Sequence, residues 1–346
     1  MNQPKRNTGL SICARSISGS GGETTVDVPS EVRKPQPTQL APKAFVAAAG
    51  PSRAAAAFPL CEESGLLPLL NSSRFRHVYC RAGVATTFSP RFRDVLAEAG
   101  RISGLFEVQL HLIHAAEETS DKVERFRETL RSLELPENAP IHFPAGQPSQ
   151  AILQVQSEQQ IDLLIAGALE QESVHRNFTG DVARALLREA ACDLFLFVEP
   201  KEDAPPPEHI FVAIPDFTPF SREVFQRSAD FAERIGAKKL TLLHVQTTFA
   251  EAKEKALGTD APSSQQNLEV FVAESPAKTV EIDTHSVRGN TGFTACEFIQ
   301  SNGADVLVLP SHIGKPDQPI FAPALDWIIQ VIPTNVWVIR QVAGKQ

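Results

Sequence analysis

Residues 209–245 read HIFVAIPDFTPFSREVFQRSADFAERIGAKKLTLLHV. HIFVAIP and KLTLLHV are short, nearly continuous apolar runs, while the intervening PFSREVFQRSADFAERIG has helical spacing. A strand–helix–strand unit whose strands are apolar throughout is what a parallel sheet with helices on both faces requires. Downstream, KTVEIDTHSVRG, TGFTACEFIQSNG, DVLVLP, PALDWIIQVI and NVWVIR continue the alternation to Arg340.

The same order is legible upstream. HVYC, FSPRFRDVLAEAGRIS, EVQLHLIH, DKVERFRETLRSL, PIHFP, SQAILQVQSEQ, DLLIAG, GDVARALLREA and DLFLFVE give βαβαβαβαβ up to Glu199. Spacing supports a repeat: Gly146 lies 21 residues before Gly167, and Gly289 lies 21 before Pro310. Thr87-Phe88-Ser89-Pro90 stands where the second copy has Asp216-Phe217-Thr218-Pro219. The second copy carries extra polar residues around Gly258–Asn267, which predicts a flexible surface loop. The predicted fold class is α/β: two tandem, doubly wound, open parallel five-stranded sheets. The expected boundaries are a disordered tail over 1–74, a first domain over 75–200, a stiff Pro-rich linker over 201–208 and a second domain over 209–342.

The chain of 346 residues has a net charge of −8, split into +3 for residues 1–75 and −11 for the rest. An acidic body excludes electrostatic attraction to nucleic acid. With 42% hydrophobic residues and a mean hydropathy of −0.13, no run approaches the length of a membrane span. The tail contains VAAAGPSRAAAA and, over Ala54–Leu70, apolar residues including Phe58, Leu60 and Leu66, read as a solvated leader. Five scattered cysteines, Cys13, Cys61, Cys80, Cys192 and Cys296, predict reduced thiols in a reducing compartment. The first 22 residues are Ser-rich and acid-poor but lack a secretory apolar core, so cytoplasm is expected, with a transit peptide as the alternative.

Residues 209–245 followed by VRGNTGFTACEFIQSNGADVLVLP resemble a universal stress protein domain. The first copy resembles it more faintly through TTFSPRF, AGQPSQAIL, DLLIAG and GDVARALLREAACDLFLFV. The resemblance implies an adenine nucleotide alpha hydrolase-like (HUP-type) fold with the two domains pairing through their last strands. In nucleotide-binding members an Asp ending the first strand contacts adenosine, backbone at the end of the second strand meets adenine, and a G-x2-G-x9-G-[ST] loop after the fourth strand holds phosphate. Glycine suits that loop because backbone N–H groups must approach phosphate beside a helix N-terminus.

Carried over, this pattern marks Thr87, Gly167, Gly180 and Asp181 in the first copy and Asp216, Val245, Ser311, Gly314 and Lys315 in the second. Both copies depart from it. Thr87 replaces the adenosine-contacting Asp, and Glu170 and Asp181 place carboxylates where a Gly and a Ser or Thr belong; His175 and Arg176 offset them in part. In the second copy Pro310 removes an N–H at the first glycine, and Ala322 and Pro323 stand near the last glycine and the Ser/Thr. Asp216 before Phe-Thr-Pro is equally a helix-start residue, and Pro323 suits helix initiation. His114 and His244 read as strand-end surface residues, and Trp327 and Trp337 as core or interface residues.

No P-loop, nucleophile elbow or zinc-protease motif is present, so no enzyme is expected. The sequence leaves two readings open: a stress-response scaffold with degenerate nucleotide loops and no required cofactor, or a sensor binding ATP or AMP through the second domain. Expected associations are a protein partner, pairing of the two domains and a homodimer, without nucleic acid or membrane.

Overall fold

The computed structural model describes residues 79–168, 180–246, 263–288, 293–313 and 319–342. The first half comprises β1 (Arg81–Ala85), α1 (Phe92–Phe106), β2 (Gln109–Ile113), α2 (Ser120–Ser132), β3 (Ile141–His142), α3 (Pro148–Glu158), β4 (Leu163–Gly167), α4 (Asp181–Glu189) and β5 (Asp193–Phe197). The second comprises β6 (His209–Ile214), α5 (Pro219–Ile235), β7 (Lys239–Gln246), α6 (Ser264–Ala273), β8 (Glu281–Arg288), α7 (Phe293–Ser301), β9 (Val306–Ile313), α8 (Pro323–Val331) and β10 (Asn335–Val342).

The strands form one ten-stranded sheet, ordered β3-β2-β1-β4-β5-β10-β9-β6-β7-β8. Within each half every pairing is parallel and the order is that of a doubly wound sheet. The halves meet where β5 and β10 run antiparallel, through Leu194–Val338, Phe195–Trp337 and Leu196–Val336. Strand residues alternate between two apolar layers. Val84, Leu112, Ile165 and Phe195 face α1, α2, α5 and α6, while Leu164, Ala166, Leu194 and Leu196 face α3, α4, α7 and α8. Both layers contain residues of both halves, so the core continues across the seam. Phe106, Phe195, Phe231 and Trp337 pack there with ring centroids 5.2 to 6.4 Å apart. Each such buried side chain contributes roughly 1.5–3 kcal/mol relative to exposure.

Matching carboxylates fix the entry to each half. Asp162, just before β4, accepts the N–H groups of Cys80 and Arg81 at 2.7 and 3.0 Å, and Asp305, before β9, accepts those of Glu208 and His209 at 2.8 and 2.9 Å. The first clamp corrects the reading of HVYC as a strand. Of its described residues, Tyr79 and Cys80 precede β1, because Asp162 holds the backbone at Cys80 and the Tyr79 ring turns into the core.

A second correction concerns the extra polar segment of the second half. Its residues 258–262 lie outside the described set, but Ser263 begins a helix: its hydroxyl accepts Gln266 N–H while the Gln266 side chain accepts Ser263 N–H. This capping box lets Leu268 and Phe271 of α6 bury against α5. The linker does not run free of the first half. Arg101 donates to the carbonyls of Lys201 and Glu202, Arg93 pairs with the Glu202 carboxylate, and Asp94 accepts Glu202 N–H.

Candidate ligand crevices at the two switch points

In a doubly wound sheet, ligands enter beyond the carboxyl ends of the strands where chain order reverses. That point lies between β1 and β4 in the first half and between β6 and β9 in the second. Because β5 and β10 are antiparallel, the two crevices open on opposite edges of the sheet.

The first crevice gathers Thr87, Gly167, Gly180 and Asp181. Thr87 is exposed just past β1; Gly167 ends β4, where an added Cβ would meet only Val95 Cγ2 at 3.8 Å. Gly180 begins α4 without a side-chain cap, and its N–H bonds the Ala168 carbonyl at 3.0 Å. Asp181 follows with its side chain 88% exposed and 3.8 Å from Arg184. The buried hydroxyl belongs to Thr86 rather than Thr87, and Thr86 Oγ1 has no hydrogen-bond partner among the described residues. Glu170, His175 and Arg176 lie outside those residues.

The second crevice brings together Asp216, Ser311 and the end of β7 at Val245. Asp216 Oδ1 accepts three bonds: Thr218 N–H at 3.1 Å, Thr218 hydroxyl at 2.7 Å and Ser221 hydroxyl at 2.7 Å. Thr218 in turn caps α5 by accepting Ser221 N–H. The carboxylate therefore organises the first turn of α5. Its Oδ2 has no hydrogen-bond partner among the described residues. Ser311 is fully buried opposite Arg340, and its hydroxyl accepts from Arg340 Nη1 at 2.8 Å. Val245 is buried opposite Val287 of β8. Gly314 and Lys315 lie outside the described residues. Ala322 and Pro323 start α8, with Pro323 in its first turn.

Sequence reasoning missed several groups. His312 sits beside Ser311, its Nδ1 3.0 Å from Gln341 Oε1 and its ring 5.2 Å from Phe220. Arg340, a lone cation in the apolar run NVWVIR, donates to the Leu186 and Leu187 carbonyls at the end of α4; burial lowers its pKa to about 10. His114 and His244 are not surface residues, being 8% and 3% exposed. His114 Nδ1–H donates to the Thr86 carbonyl at 3.0 Å, and its ring packs on Phe88 and Phe126. His244 packs on Phe217, which meets Phe271. The Phe–His contacts correspond, but the cations do not: Arg125 of α2 lies over Phe88 at 4.4 Å, whereas Arg222 of α5 lies over Phe271 at 5.1 Å. Trp337 is core, whereas Trp327 is 39% exposed.

A groove of about 440 Å³ lies away from both crevices, lined by Ile141, His142 and Phe143 at the β3 edge and by Gln154, Val155 and Glu158 of α3. Behind it His111 Nδ1 and His142 Nε2 are 3.0 Å apart. The rings are parallel to within 3°, and the nitrogens approach more closely than the centroids at 5.3 Å, so the rings lie edge to edge and share an N–H···N bond. Burial, then the neighbouring His142 and Arg81, lowers the His111 pKa to about 4. Among the described residues no group of three or more His, Cys, Asp or Glu could hold a metal ion, and no helix is long and apolar enough to cross a membrane.

The universal stress protein family model matches residues 114–197 and 207–340, one match in each half. The chain belongs to the universal stress protein family. Membership places this universal stress protein among stress-response-related proteins. A search of curated proteins finds no match. Among solved structures, the universal stress protein resembles a functionally unknown protein from Pseudomonas aeruginosa PAO1 at 16% identity and a TM-score of 0.58, covering 78% of this chain and 95% of that one. A putative universal stress protein from Pseudomonas aeruginosa UCBPP-PA14 matches at 15% identity and 0.56, covering 77% and 94%. One from Archaeoglobus fulgidus matches at 14% identity and 0.54, covering 78% and 99%. At these identities the likeness concerns the fold.

Proposed function

We propose that this protein is a non-enzymatic binding and regulatory scaffold whose nucleotide loops are degenerate. The observation that carries this reading is the engagement of the second crevice's polar groups by the fold itself: Asp216 Oδ1 starts α5 and the Ser311 hydroxyl belongs to Arg340. In the first crevice, the exposed Asp181 carboxylate at the start of α4 opposes a phosphate there. The expected partner is a protein and the expected setting the cytoplasm, with a homodimer as a further arrangement. Titration calorimetry of the full chain with ATP or AMP and magnesium should give no dissociation constant tighter than about 1 mM, some 4 kcal/mol. ATP turnover should stay at background, and turnover abolished by Asp216→Ala would overturn the reading.

One observation favours a sensor of ATP or AMP instead. Asp216 keeps Oδ2 without a hydrogen-bond partner among the described residues, at the mouth of the β6–β9 crevice. Micromolar AMP binding that disappears in Asp216→Asn, a substitution that retains Oδ1 for the helix start, would establish the sensor.

A further inference from the structure

Tyr79 is the chain's only tyrosine and the first described residue, two positions before β1. It is 4% exposed, and its ring meets Phe106 edge-on at 5.0 Å. Its hydroxyl donates to the Asp193 carboxylate in β5 of the first half. It accepts from two groups of the second half, Arg227 Nη2 of α5 at 2.6 Å and Trp337 Nε1 of β10 at 3.2 Å. Arg227 also pairs directly with Asp193 and lies over the Tyr79 ring at 5.4 Å. One hydroxyl, brought in by the chain that leads into β1, thus bonds to both halves at once.

Backbone pairing at the seam is sparse. Its antiparallel ladder has three registered pairs, against eight between β9 and β10. Withdrawing Tyr79 from a closed seam would leave Trp337 Nε1 without an acceptor and expose the Asp193–Arg227 pair to an unfilled space. Arg227 Nε already has no hydrogen-bond partner among the described residues. Buried donors stripped of acceptors are costly, and water can replace the hydroxyl only if the seam parts. Burial, foremost, holds the Tyr79 pKa well above the usual tyrosine range, so the hydroxyl remains a donor to Asp193 at neutral pH.

We propose that the chain entering β1 is a strap pinned by Tyr79, so that release of the strap and parting of the two halves are a single coupled opening. Drawing Tyr79 out of its pocket would therefore loosen the pairing of the halves, and parting the halves would equally free Tyr79.

The test uses the full chain. Nitration of Tyr79 by tetranitromethane, followed by nitrotyrosine absorbance, measures how often the strap opens. Amide exchange of β5 and β10 measures how often the seam opens. The two opening constants should agree within about threefold. Tyr79→Phe should speed exchange of seam amides by about tenfold or more while leaving β1–β2 and β6–β7 amides unchanged. Fast nitration with protected seam amides would overturn the proposal, as would equal acceleration throughout the sheet or no acceleration at the seam.

Discussion

The two halves use the same devices with different chemistry. Asp162 and Asp305 clamp the entries to β1 and β6 alike, and the Phe88–His114 and Phe217–His244 contacts are near copies. The ends of the seam differ. Asp193, first in β5, accepts Arg340 N–H just beyond the seam pairing of β10, while Asn335, first in β10, accepts Val198 N–H just past β5. One end is thus a buried, charged hub joined by Arg227 and Tyr79, and the other a neutral amide. The crevices diverge too, with Thr87 in one half where Asp216 organises a helix start in the other. Packing devices recur where the core demands them, whereas groups facing the crevices and the seam ends have become unlike.

The charged end offers the largest break. Asp193→Ala removes the acceptor of Arg340 N–H and leaves Arg227, whose side chain is 9% exposed, without its buried partner. Such a loss costs about 3–5 kcal/mol, read as a lower denaturant midpoint. A cost under about 1 kcal/mol would show that the hub is solvated and that the two seam ends are equivalent.

Much of this architecture is legible in the sequence because parallel strands covered on both faces must be apolar runs, and LLIAG, LFLFV and FVAI read directly as strands. α6 escaped because its first turn is Ser-Gln-Gln, although Ser263 and Gln266 have capping-box spacing. The burial of His114 and His244 depends on Phe126 and Phe271, contributed by helices distant in sequence, which local pattern does not reveal. Asp216 read equally as a ligand contact and as a helix start, and the structure shows the helix start through Oδ1. Arg340 carried a signal of its own: a lone charge inside an apolar strand must find partners, here Ser311 and the end of α4.

Acid should sharpen the comparison next. His111 is third in β2, and the third residue of β7 is Thr241, which pairs with His209 Nε2 at 2.8 Å. With the folded pKa of His111 at about 4 and the ordinary value at 6.5, the unfolded chain takes up the proton first as pH falls. Stability from this group is full above pH 6.5, declines between 6.5 and 4, and levels off below, for a total on the order of 3 kcal/mol. Arg81, Glu158 and His142 are the charged or titratable groups acting on this pair. His111→Thr, which copies the second half, should flatten the slope of unfolding free energy over that window, even if the smaller side chain lowers stability at every pH. An unchanged slope would assign the acid sensitivity elsewhere.

The smallest effect is expected at the neutral end of the seam. Asn335→Ala removes the acceptor of Val198 N–H, but Asn335 is only half-buried, so water can reach the freed group. The expected cost is about 1 kcal/mol, the net worth of an ordinary hydrogen bond. Its size relative to Asp193→Ala is the informative quantity, because each substitution removes the side-chain acceptor of one backbone N–H at an end of the same ladder, and Asp193→Ala alone also strips Arg227 and Tyr79 of a partner. If the seam is held mainly by its backbone pairs, the two costs should converge. If the buried hub holds it, Asn335→Ala should leave exchange of the Leu194 and Val338 amides near the wild-type rate, while loosening amides around Phe197 and Val198.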